Sequence, residues 1–192
     1  MLSHIQAKTM VDSLPSMTPE LSLLTRAIAW LETNYGAGWK GNGVGSHNMG
    51  AITGKYKGKS FGYGDSRYDE KQGVVKYTTD FRLYPDDRTG FEDLAYLLRR
   101  SYSKAINEVP DWPAVSAALY GYYLGTQPKE QAISTHAKRL ESVVNTIVAK
   151  TGERTPGTML GGSEATGAAV LGVGALLVLL AVSRRRKRKA KQ

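Results

Sequence analysis

The chain has 192 residues, 26 of them basic and 17 acidic, for a formal charge of +9. Seven of the basic residues fall in the last nine positions, which leaves 19 against 17 elsewhere, about +2, and excludes a broadly basic nucleic-acid-binding body. Cysteine is absent, so disulfides, thiol nucleophiles and thiolate metal sites are excluded; His4, His47 and His136 lack the paired helical spacing of a zinc hydrolase, and no metal or cofactor is expected.

Residues 1–17 read as an N-terminal extension without the continuous apolar core of a secretory signal. Thr18-Pro19-Glu20 then supplies an N-cap, a proline for the first turn and an early acid, and Gly36 supplies a stop, which predicts a helix from Pro19 to Tyr35. Leu21, Leu24, Ile28 and Leu31 mark its buried stripe. At ~100° per residue Glu32 projects about 20° from Leu21 and about 40° from Ile28, inside that stripe. A carboxyl walled by apolar groups yet open to a cleft stays protonated towards neutrality and can donate to a leaving oxygen; a helix-end Glu that swings into water is the plain alternative. Trp30 projects away from the stripe as a packing or docking residue.

Residues 36–64 hold ten of the 21 glycines and read as a loop-rich cleft wall. Val, Tyr, Thr and Phe enrichment from Val74 to Tyr84 predicts a short hairpin or strand pair. Thr89 reads as the cap of a helix buried through Phe91, Leu94, Ala95 and Leu98. Val115, Ala118, Leu119 and Tyr122 give a second stripe after Asp111-Trp-Pro113. Ile133, His136, Ala137, Leu140, Val144 and Ile147 give a third, closing near Gly152. The fold expected for 18–153 is therefore mainly α with a small β wing.

Residues 154–164 read as a flexible linker. Ala165 to Ser183 is free of charge over 19 residues; as a helix it reaches about 28 Å, enough for a single transmembrane span. The basic tail 184–192 should stay on the cytoplasmic-equivalent side, with the globular domain opposite. Its cluster from Arg184 to Lys191 is suited to anionic lipid or to nucleic-acid phosphates.

Four blocks in order carry a family resemblance. Glu32-Thr-Asn-Tyr-Gly36, Asn48-Met-Gly-Ala-Ile-Thr-Gly54, Phe81-Arg-Leu-Tyr84 and Gly90-Phe-Glu-Asp-Leu-Ala95 resemble signatures of the glycoside hydrolase family 73 glucosaminidases and related lysozyme-like muramidases, over roughly Leu21 to Val148. The second block also resembles phage versions reading Gly-Ala-Ile, and phage cell-wall lysins carried in the virion are relatives that the resemblance suggests. His47 and Met49 depart from the second Asn and the aromatic that often flank the central Asn in that family.

The resemblance implies a lysozyme-like α+β domain acting on the β-1,4 glycan strands of peptidoglycan, with Glu32 as the acid. It implies a second carboxylate in the β wing before a glycine, at Asp69 or Glu70, although Arg67-Tyr-Asp-Glu-Lys71 also fits a solvated turn. Tyr122 and Tyr123 resemble a Gly-Tyr element of the family's cleft, with Tyr123 the catalytic candidate and Tyr122 a substrate contact; either also fits the buried end of a helix. Asn48 and the Ile52 backbone are expected to hold an acetamido group, and Tyr35 to pack against Glu32 beside the substrate. Phe81 and Tyr84 read as core.

The absent signal and the tail anchor lead us to expect a phage virion protein, in contact with a viral membrane and other virion proteins, that opens the wall during passage of the genome. Lytic transglycosylases of the same superfamily need only one Glu and are the nearest alternative. A non-catalytic virion tether is the alternative of another class.

Overall fold

The computed structural model describes residues 1–120 and 127–157; Tyr122, Tyr123, the apolar run 165–183 and the basic tail lie outside them. Among the described residues, six helices and one hairpin follow in chain order: α1 (His4–Asp12), α2 (Pro19–Thr33), β1 (Ser60–Asp69), β2 (Gly73–Arg82), α3 (Asp87–Ser101), α4 (Ser103–Asn107), α5 (Trp112–Ala118) and α6 (Lys129–Thr151). This is the expected helical body with a β wing. No described helix is long and apolar enough to cross a membrane.

The helix that carries Glu32 is the centre of the body. Thr18 caps α2 by accepting from the Leu21 N–H at 3.2 Å, a contact worth ~1 kcal/mol. Every residue from Leu21 to Ala29 is buried, because α1, α3, α4 and α6 pack around it. Burial relents at Trp30, Leu31 and Glu32, which are half-buried. The helix ends at Thr33, two residues before the expected Tyr35. Asn34, Tyr35 and Gly36 all adopt left-handed backbone, with φ of 49°, 53° and 80°, and that run cannot continue a right-handed helix.

Residues 1–17, read from sequence only as an extension, are built into this core. A reciprocal capping box between Ser3 and Gln6 starts α1, and Ala7 and Val11 are fully buried against the cluster around α2. Inside the same cluster, the Arg26 guanidinium forms two bonds to Glu153, at 2.6 and 2.8 Å, and donates to the Ser22 carbonyl at 3.2 Å. The end of α6 is thereby clamped to the central helix.

β1 and β2 pair antiparallel from Ser60↔Arg82 to Asp69↔Gly73. The first half of β1 falls in the segment 36–64 that the sequence reads as loop, since Gly62 and Gly64 occupy its solvent face and dilute the strand signal. Phe61, Tyr63 and Asp65 share the opposite face, as do Val75, Tyr77, Thr79 and Phe81 on β2. That face is turned inward, its residues half-buried or buried.

Asp86 caps α3 by accepting from the Thr89 N–H at 2.7 Å; Thr89, read as the cap, lies inside the first turn. Asp111 caps α5, and Gly152 closes α6 at φ 69°. The α6 stripe is buried as expected at His136, Ala137, Leu140, Val144 and Ile147, while Ile133 is half-buried.

Candidate active site

Glu32 occupies the penultimate position of α2, where the fully buried core gives way to an edge. Its neighbour Thr33 fixes that edge: the hydroxyl donates to the Met49 carbonyl at 2.7 Å and accepts from the Gly36 N–H at 2.9 Å. The glycine-rich segment is thus tied to the helix end one residue after the acid. Burial pushes the Glu32 carboxyl above the ordinary glutamate value of 4.5; the Arg139 charge partly opposes this, and the Asp65 charge adds to it. Among the described residues, none hydrogen-bonds the Glu32 carboxyl.

The acid therefore sits in the field of two groups on different elements, Arg139 on α6 and Asp65 on β1. Asp65 accepts from the Tyr77 hydroxyl at 2.8 Å and from the Ser66 N–H at 2.7 Å, so its carboxylate is oriented from across the hairpin and from its own strand. Tyr63, two residues away on the same face, meets the Trp39 ring edge-on at 5.1 Å; Trp39 also contacts Phe61 and Phe81 at 5.1 Å each. An aromatic wall thus rises from the hairpin base towards Asp65.

The carboxylates expected from sequence lie elsewhere on the wing. Asp69 ends β1 and spends one oxygen on the Lys71 and Gln72 N–H groups, at 2.9 and 3.0 Å, while Glu70 is exposed in the turn. Neither contributes to the field on Glu32; Asp65 does.

Asn48 is fully buried. Its amide donates to the Ile52 and Arg82 carbonyls at 2.9 and 3.0 Å, and its oxygen accepts from the Ile52 N–H at 2.8 Å. Asn48 and Ile52, expected as sugar contacts, spend these groups in shaping the turn against β2. Tyr35 is likewise a core residue, 3% exposed, with its hydroxyl 3.0 Å from His4 Nδ1 and its ring edge-on to Phe91. Tyr122 and Tyr123 lie outside the described residues.

The remaining sequence blocks hold the wing in place. Arg82 Nη1 donates to Asp93 at 2.6 Å and the Tyr84 hydroxyl donates to the same oxygen, so the strand block and the α3 block meet at one carboxylate. Phe81 and Tyr84 are buried, as expected. His47 stands 2.6 Å from Asp87 at the start of α3.

Asp65, Tyr77 and Arg139 were missed by sequence reasoning. Alternation of Phe61, Tyr63 and Asp65 across two glycines is the signal that points to the first. An isolated arginine on a long helix offers no comparable signal for the last.

No family model matches the chain, and no curated protein matches it. Solved structures do share its fold. A peptidoglycan hydrolase mutant from Sphingomonas sp. A1 is 23% identical, with 77% of this chain and 99% of that chain covered and a TM-score of 0.53. An N-acetylmuramoyl-L-alanine amidase from Staphylococcus aureus is 20% identical, covering 78% of this chain and 44% of that one, with a TM-score of 0.51. The catalytic domain of the autolysin Auto from Listeria monocytogenes is 23% identical, covering 79% and 90%, at a TM-score of 0.49. The chain therefore has an α+β fold found in peptidoglycan hydrolases.

Proposed function

We propose that this chain cleaves the β-1,4 glycan backbone of peptidoglycan as a glycosidase, with Glu32 as general acid and Asp65 as the second carboxylate. The reading is carried by one observation: a carboxyl raised in pKa by burial ends the central helix, and its field includes a second, oriented carboxylate on the hairpin. Glu32 gives its proton to the glycosidic oxygen as the bond to the anomeric carbon breaks; Asp65 faces the positive charge that builds on the ring, and water then adds its hydroxyl to the anomeric carbon while its other proton restores the Glu32 acid. The Trp39 and Tyr63 rings offer faces on which a pyranose stacks.

The resemblance takes in both family 73 glucosaminidases and related muramidases, so either of the two β-1,4 linkages of the wall is a candidate bond. The charge-free run 165–183 and the basic tail support a membrane anchor, and the likeness to virion-carried phage lysins supports action during passage of a phage genome.

Digestion of purified sacculi followed by mass spectrometry of the fragments tests the reading. Hydrolysis leaves reducing ends that carry added water; anhydro ends would assign a lytic transglycosylase instead, and Asp65 would then be dispensable.

A further inference from the structure

Next to Glu32 on the body side lies a groove of about 440 Å³ between the end of α2 and the middle of α6, lined by Trp30, Leu31, Lys138, Arg139, Ser142 and Val143. Trp30, Leu31 and Val143 give it an apolar side. Trp30 is half-buried, with its ring 4.5 Å from His4 and 5.1 Å from Tyr35. Its rim is cationic. Lys138 and Arg139 are exposed, and among the described residues neither stands in a salt bridge, although the Arg139 charge acts on Glu32. They stand about three turns before the end of α6, beyond the reach of its dipole. Leu31, the chain neighbour of Glu32, lines the groove, and the Arg139 charge on its rim acts on the acid, so the groove borders the end of α2 that carries Glu32.

Glycan strands of peptidoglycan carry short peptides on alternate sugars, with small apolar side chains and free carboxylates. We propose that this groove is a subsite for the peptide stem, with Arg139 and Lys138 holding a stem carboxylate and Trp30 and Leu31 packing on its apolar side chains. The assignment rests on the reading of the Glu32 cleft as glycan-cleaving. It makes the enzyme selective for peptide-substituted glycan and places a stem beside the scissile bond.

The test is equilibrium binding of the full-length Glu32→Gln chain to three soluble glycan oligomers: bare, stem-bearing with free carboxylates, and stem-bearing with those carboxylates amidated. The free-carboxylate oligomer should bind about tenfold tighter than the bare one, the scale of one charge-assisted hydrogen bond. Amidation should remove most of that preference, and so should Lys138→Gln with Arg139→Gln in a chain whose melting shows it folded. Equal binding of all three oligomers, or a double variant that keeps the preference, overturns the subsite. Tighter binding of poly(glycerol phosphate) than of the stem-bearing oligomer also overturns it, in favour of a wall phosphodiester. If the preference holds while the wild-type chain cuts no glycan, the subsite stands and the glycosidase reading falls.

Discussion

Tyr77 reaches across the hairpin to donate a 2.8 Å hydrogen bond to Asp65, the residue paired directly opposite it. A carboxylate on a two-stranded wing has few neighbours to hold it, and this phenol supplies the orientation that a wider sheet would give. Tyr77→Phe should therefore lower kcat about tenfold through loss of one hydrogen bond to a charged group, with little change in KM. Asp65→Asn should cost about a hundredfold or more. Unchanged turnover in both variants would remove the wing carboxylate from the chemistry.

The alkaline limb of activity reports Glu32 losing its proton, and it should lie above pH 4.5, where an ordinary glutamate titrates. Arg139 stabilises the charged form, so Arg139→Ala should move this limb to higher pH. Asp65 disfavours the charged form, so Asp65→Asn should move what activity remains to lower pH. Limbs that move in the same direction would contradict the placement of Glu32 between two opposite charges.

The same proton bears on stability. Because the folded state holds it more tightly than the unfolded chain, the contribution of Glu32 is most favourable below pH 4.5 and becomes a cost as pH rises through the folded value. Glu32→Gln removes that cost, and thermal melts at neutral pH should show a rise of ~2–4 °C for each kcal/mol recovered. A lower melting temperature would mean the carboxylate is stabilising where it sits.

Glu153 behaves in the opposite sense. Burial favours its neutral form, but the hydrogen bonds and charge of Arg26 outweigh this and hold its pKa below 4.5. Its stabilisation is present above pH 4.5 and is lost as pH falls through the folded value. Glu153→Gln leaves the 1%-exposed Arg26 charge uncompensated and should cost about 3–5 kcal/mol at neutral pH in denaturant melts, with a flatter acid dependence than the wild type.

The helical framework was legible because its signals are local. Thr18-Pro19, the apolar spacing of α3 and α6, and Gly152 each act within one or two turns of chain. The half-buried place of Glu32 was legible for the same reason, since it follows the same helical spacing as its stripe. What escaped depends on pairing across the chain. Gly62 and Gly64 concealed a strand whose inward face becomes apparent only against β2, and with it the orientation of Asp65. Asn48 carries the right chemistry for an acetamido group, yet the backbone of its own turn takes up its bonds first.

Gly90 tests the docking of α3 on the segment that follows the acid. A β-carbon there would stand 2.0 Å from the His47 carbonyl oxygen, and backbone cannot yield as a side chain would. Gly90→Ala should destabilise the fold by about 1–3 kcal/mol or more in equilibrium unfolding. A neutral result would show that the turn and α3 separate readily.

The most direct measurement of the central claim is a sacculus digest with the wild-type chain and the Glu32→Gln variant, both shown by melting to be folded. The account predicts soluble fragments with hydrated reducing ends from the wild type, and release slowed at least a hundredfold by the substitution. Equal release from both chains would contradict it.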